Sequence, residues 1–175
     1  MPARSKSFEL WGKGLEHWEA GRLDDAAAAF REAITHGRND VNFTEYLKSL
    51  GGVLGHLGRY NEAQAALEQA LEQALDESRA EGNGSSNVVS ARHSLAEHFL
   101  LVLRPMEAIA VTAPSIGIGA KLEGILRYVR AFAFDALGDS AKARSEAVAA
   151  LELASSDDQR ERMRTQLARI LQRHD

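Results

Sequence analysis

His93 and His98 bracket the stretch HSLAEH, and two histidines around a glutamate raise the question of a metal site. Helical zinc sites space their histidines so that both rings meet one ion, as in H-E-x-x-H or H-x-x-E-H. Here the two lie five residues apart, about 140° around a helix of 3.6 residues per turn. They cannot share an ion, and His93 is left as an ordinary i,i+4 partner of Glu97. The run GIGAKLEG at 117–124 has glycines and a lysine. It lacks the spacing G-x-x-x-x-G-K-[ST], in which backbone N–H groups cradle phosphate, and reads as a link into a helix. Asp24-Asp25 and Asp157-Asp158 are paired carboxylates, but each pair falls at a helix start, where the dipole favours acid. With no cysteine there is no thiol nucleophile, thiolate metal site or disulfide scaffold, and no serine stands in a nucleophile elbow. No catalytic group assembles. The chain reads as a non-enzyme with no metal and no cofactor.

Composition narrows the remaining classes. The chain has 175 residues, 45% hydrophobic and 26% charged, enough for one domain or a short repeat array. A formal net charge of −4 argues against nucleic acid, whose binders need a basic face to displace counterions. No apolar run approaches the ~18 residues of a spanning helix, and MPARSKSFEL lacks the apolar stretch of a secretory signal. Together with the missing cysteine, this points to a cytoplasmic protein that contacts neither membrane nor nucleic acid. The glycosylation-type triplets Asn42-Phe43-Thr44 and Asn83-Gly84-Ser85 are then coincidence. Alanine, leucine, glutamate and arginine dominate, proline occurs three times, and β-branched residues never alternate over a strand-length window. The chain reads as all-helical.

Internal similarity supplies the elements. GRLDDAAAAFREAI at 21–34 returns as GRYNEAQAALEQAL at 58–71, GDSAKARSEAVAAL at 138–151 and, worn, LRPMEAIAVTAPSI at 103–116. Ala26, Ala63, Ala108 and Ala143 hold one position in the four copies. Gly14, Gly51, Ala96 and Ala131 stand twelve residues before them. Between the two, Gly21, Gly58 and Gly138 mark a turn, where glycine ends a helix in the left-handed region. In the third copy Leu103 takes that place and Pro105 opens the next helix. Two antiparallel helices joined by such a turn cross closely, and at the crossing only hydrogen or methyl fits. A larger group follows four residues on, at Phe30, Leu67, Thr112 and Ala147. Another small one comes three later, at Ala33, Ala70, Ser115 and Ala150. Offsets of three and four are the helical period.

A small residue followed by G-x-[YL]-x-x-A-x-x-x-F-x-x-A resembles the tetratricopeptide repeat (TPR), a unit of 34 residues. The resemblance covers nearly the whole chain, with copies at 7–40, 44–77, 89–117 and 124–157 and a capping helix at 157–173. It implies an all-α fold, an α-solenoid of antiparallel helix hairpins in a right-handed superhelix of nine helices. A single TPR-like domain over 1–175 follows. The third copy is degenerate, since Pro114 must end its second helix early. The key alanines are separated by 37, 45 and 35 residues, so the middle interval is long. LEQALEQALDESRAEGNGSSN at 67–87 absorbs the excess by running its helix to about Ala80 and breaking in GNGSSN, a linker composition. The excess is either a tolerated loop insertion or a functional protrusion. The final segment begins with a capping box, Ser156 with Gln159, and Met163, Leu167, Ile170 and Leu171 form a stripe to cover the array's last face. Arg160, Arg162, Arg164, Arg169 and Arg173 on its other side are either solvated or a docking surface for acid.

The resemblance implies that the first helix of each hairpin lines a concave groove that contacts a ligand. Counting from the small residues places Phe8, Trp11, Leu15 and Trp18 there, then Lys48 and His56, then His93 and Glu97. The fourth copy gives Ile125, Tyr128, Phe132 and Asp135. Large rings beside adaptable polar groups suit a peptide or an amphipathic helix. The same stripe has a second reading, with Trp11 and Trp18 packed inward over Gly52 and Gly55 as core. One family subset clamps a terminal carboxylate, but the matching positions hold Trp11, Leu15, Ser49, Ser90 and Ser94, which lack the required donors. Arg92, Arg127 and Arg130 need acid partners between packed helices, with Glu97, Glu107 and Glu123 as candidates. The favoured function is a non-catalytic protein–protein interaction module holding a peptide or helical segment of another protein. Two rivals stand beside it: a self-associating scaffold that forms a homo-oligomer, and an inhibitor or immunity-type protein that blocks a partner enzyme.

Overall fold

The structure, a computed structural model, describes residues 5–79 and 81–172. Among them are nine α-helices and no strand, so the all-helical reading holds. None of these helices is long and apolar enough to cross a membrane. The chain divides into two compact units, Met1–Glu77 and Ser78–Asp175.

In the first unit α1 (Lys6–Glu19) and α2 (Leu23–His36) form one hairpin, and α3 (Phe43–His56) and α4 (Tyr60–Glu77) a second. Helix α2 packs on α3. Ala26 and Ala63 are fully buried. A Cβ at Gly14 would lie 2.3 Å from Phe30 Cε1, and one at Gly51 2.5 Å from Leu67 Cγ. The space denied to a side chain on each first helix is therefore filled by a large side chain from the second. Ser5 caps α1, its Oγ accepting from the Phe8 N–H at 3.3 Å. Asp40, in the connection between the hairpins, accepts from Ser5 Oγ, Ser7 Oγ and Tyr46 OH at 2.7–2.9 Å and from the Asn42 N–H at 3.1 Å. Burial opposes its ionisation, but these donors prevail and hold the carboxyl well below its ordinary 3.8. The connection is thereby tied to the start of α1.

In the second unit α5 (Ser86–Leu101) pairs with α6 (Pro105–Thr112), and α7 (Glu123–Ala136) with α8 (Ser140–Glu152). Helix α9 (Asp157–Gln172) packs on α8 and α7, burying Met163, Leu167 and Ile170. Ala96, Ala108, Ala131 and Ala143 are all fully buried. Helix α6 stops at Thr112 and a 3₁₀ turn, Ala113–Ser115, carries the chain out, as Pro114 requires. Thr112 is buried in the large position, its hydroxyl donating to Ala108 O at 3.0 Å. The capping box of α9 is displaced on one arm. Gln159 N–H donates to Ser156 Oγ, but Gln159 Oε1 accepts from the Ser155 N–H rather than from Ser156.

All four hairpins turn by one device. The N–H groups of Arg22, Arg59, Arg104 and Asp139 donate to carbonyls five residues back, those of His17, Leu54, Phe99 and Phe134, at 2.7–3.0 Å. Gly21, Gly58 and Gly138 reach φ of 74°, 73° and 78°, and Leu103 reaches 60°. A side chain there costs roughly 1–2 kcal/mol, so the third turn is kept against a local preference.

Several expectations change. Helix α4 ends at Glu77, short of Ala80, which lies outside the described residues, as does Arg173 on the cap. GNGSSN is no linker: Gly82–Gly84 form a 3₁₀ turn, and Ser86 and Asn87 already belong to α5. Ser115 Oγ donates to Asn83 O at 2.6 Å and holds that turn. Among the described residues, Arg92 meets no acid. Its Nη2 donates to Asn83 Oδ1 and its Nη1 to Val111 O, each at 2.6 Å. The reason is the early end of α6, whose last carbonyls have no intrahelical partner. Arg127 does pair with Glu123 at 2.7 Å, but it also converges with Arg130 on Glu146, at 3.0 and 2.8 Å. Asp135 is covered, with 6% of its side chain exposed, and is bonded by Arg169 of α9 at 2.5 Å.

Candidate partner-binding surfaces

In the first unit Phe8, Trp11, Leu15 and Trp18 follow the helical period along α1, and all four are half-buried. Phe8 leans on Trp11 at 5.3 Å between ring centroids. Trp11 reaches Tyr46 at 6.1 Å, and its Nε1 donates to Ser49 Oγ at 2.9 Å. Trp18 stands edge-on to Phe30 and to His56, at 6.2 and 5.7 Å. It also covers Gly52, where a Cβ would lie 2.7 Å from Trp18 Cη2. The stripe is thus anchored in the core on one side and open on the other. His56 is exposed beside Trp18. Lys48 is drawn back to Glu45 at 2.7 Å, with 13% of its side chain exposed.

The second unit gathers its expected residues more tightly. His93 and Glu97 of α5 form their i,i+4 pair at 3.4 Å. Ile125 and Tyr128 of α7 face them across a cleft of about 310 Å³. The cap closes the third side with Gln159, Arg162, Met163 and Gln166. Tyr128 packs edge-on to Phe132 at 5.1 Å and donates to Gln166 Oε1 at 2.8 Å. Burial, aided by the Glu97 charge, pushes the Tyr128 phenol above its ordinary 10.0. Gln159 Oε1 is likewise occupied, accepting from Ser155 N–H and Oγ at 2.6 and 2.7 Å. With both amide oxygens taken, each glutamine retains its NH₂ as a donor, beside the Arg162 guanidinium.

The cap residues of this cleft carry a signal that a groove count limited to hairpins passes over. Gln159, Arg162, Met163 and Gln166 repeat at three, four and seven, one stripe of α9. The cap covers the last hairpin and presents that stripe to α5 and α7. Among the described residues, no three His, Asp or Glu side chains gather where they could hold a metal ion.

The family model for tetratricopeptide repeats matches residues 46–77, which span most of α3 and all of α4. No curated protein sequence matches the chain significantly. Solved structures share its fold. The nearly identical TPR-like repeats of a protein described as a kinesin light chain from Podospora anserina align with a TM-score of 0.74 at 16% identity, over 98% of this chain and 88% of that one. A thermophilic TPR protein of Thermus thermophilus aligns at 0.64 and 17% identity, over 93% and 84%. MamA from Desulfovibrio magneticus RS-1 aligns at 0.62 and 15%, over 97% and 96%. At such identities the likeness is one of fold. Residues 46–77 are a tetratricopeptide repeat, and the chain around them is an all-α array of helix hairpins with the tetratricopeptide-repeat fold.

Proposed function

We propose that the chain is a non-catalytic protein-interaction module and that the cleft among α5, α7 and α9 takes a peptide segment of another protein. The observation that carries this reading is the donor pattern of the cleft. Ser155 and Tyr128 occupy the amide oxygens of Gln159 and Gln166, which leaves their NH₂ groups as donors in a cleft also lined by the apolar Ile125 and Met163. An extended peptide presents carbonyl oxygens along its length, and convergent donors on a partly apolar cleft suit it. His93, Glu97, Tyr128 and Phe132 are the proposed contact residues here. Phe8, Trp11, Leu15, Trp18, Lys48 and His56 form the proposed second surface, on the first unit. A cytoplasmic setting belongs to the same proposal and rests on composition.

Affinity purification from the native cell tests this with wild type, a Tyr128→Ala/Gln166→Leu variant and Trp11→Ala. The cleft variant is expected to lose one specific companion while keeping its helical circular dichroism. Undiminished recovery of that companion by the cleft and Trp11 variants alike would overturn the reading.

A further inference from the structure

Arg92 lies on the buried face of α5 with 7% of its surface exposed. Among the described residues its terminal nitrogens meet neutral oxygens alone, those of Asn83 and Val111, and its Nε is buried with no acceptor. Burial pushes the guanidinium pKa down from its ordinary value, the mark of a cation held without a counter-charge. The side chain already placed to supply that charge is Asn83, and the residue after it is Gly84. Asn-Gly is the dipeptide in which a backbone amide attacks the preceding side chain most readily, because glycine leaves its nitrogen unhindered.

We propose that Asn83 is a deamidation site whose acid product completes a buried ion pair with Arg92. The Gly84 nitrogen attacks Asn83 Cγ. The Cγ–Nδ2 bond breaks, and ammonia leaves carrying the amide proton, which gives a five-membered succinimide. Water adds at Cγ and opens the ring to an aspartate with the original backbone restored. Addition at the other ring carbonyl gives isoaspartate, which puts an extra methylene into the main chain. The attack needs one 3₁₀ turn to open, held by Gly84 N–H to Glu81 O at 3.1 Å, Ser85 N–H to Gly82 O at 3.2 Å and the Ser115 hydroxyl to Asn83 O at 2.6 Å, and Asn83 Oδ1 to leave Arg92. Asn83 Nδ2 has no acceptor among the described residues, so exchanging it for oxygen forfeits no bond. The new carboxylate makes charge-assisted hydrogen bonds to Arg92, roughly twice as strong as neutral ones. Because Ser115 holds the same turn through Asn83 O, the product stiffens the entry to α5, the helix that carries His93 and Glu97.

The full chain, incubated at mildly alkaline pH and digested, is expected to show the mass gain of amide-to-acid exchange in the peptide spanning residue 83. Asn83→Asp is expected to raise the thermal midpoint by roughly 2–4 °C, the response of a chain this long to one added charge-assisted bond. That gain should vanish in an Arg92→Met background. Should Arg92→Met fail to fold, amide hydrogen exchange at 83–86 in Asn83→Asp decides, with slower exchange expected. The proposal is overturned by an Asn83→Asp midpoint at or below wild type, by a gain that persists without Arg92, or by exchange at 83–86 that is unchanged or faster. An Asn83 that survives incubation in the folded chain while a urea-unfolded control deamidates would overturn it equally.

Discussion

Gly12 and Gly14 lie two residues apart in α1, and a methyl group separates their fates. A Cβ at Gly12 meets nothing within 4 Å, while one at Gly14 lies 2.3 Å from Phe30 Cε1 and 2.5 Å from Cδ1. Helix propensity favours alanine at either site by roughly 1 kcal/mol. Nothing opposes that gain at Gly12, so Gly12→Ala should stabilise the protein by roughly 0.5–1 kcal/mol. At Gly14 a carbon contact needs about 3.5–4.0 Å, so the Phe30 ring must retreat by more than an ångström. It is fully buried and already meets Trp18 edge-on, and overpacking of this kind costs roughly 1–3 kcal/mol. Gly14→Ala should therefore range from neutral to about 2 kcal/mol destabilised, with a gap of about 1–3 kcal/mol between the two variants. Urea unfolding at unchanged m-value measures both. Adding Phe30→Leu to Gly14→Ala should recover part of the loss. Equal midpoints for the two alanine variants would refute the claim that Phe30 is what keeps Gly14 bare.

Asp40 makes the first unit sensitive to acid. Its folded pKa lies below its unfolded one, so its contribution is complete above the ordinary 3.8 and is lost as pH falls through that value toward the folded one. The stability gap between wild type and Asp40→Asn should be widest near neutrality and close as acid is added; a gap independent of pH would contradict this. In the second unit, Glu146→Ala strands Arg127 and Arg130, whose side chains are 22% and 12% exposed. The loss should fall toward the lower end of roughly 3–5 kcal/mol, since Arg127 keeps Glu123 and Arg130 keeps Ile109 O. Denaturant midpoints measure it, and a near-neutral result would mean that solvent, not Glu146, carries those charges.

The helices, their turns and their crossings were legible because each rests on short-range pattern. A 3.6-residue period, a residue able to take positive φ and a small residue twelve back are all visible within one copy of the repeat. Even the odd turn at Leu103 could be placed by its position in the repeat, and Pro114 stopped α6 where its missing N–H required. Partners were not legible in the same way. GNGSSN has the composition of a linker, yet Asn83 is held by Ser115 thirty-two residues away and by a buried arginine. Arg92 was given an acid because buried cations usually have one, and only the shortened end of α6 explains how neutral carbonyls serve instead. The cleft of the second unit depends on how the cap rotates against α7, which sets whether Gln159 and Gln166 face water or Tyr128. Local hydrogen bonding and side-chain size determine where a chain coils and turns, so the sequence alone was sufficient for the hairpins. Which polar groups meet across those hairpins is decided by contacts between distant residues, and these exist only once the helices have packed.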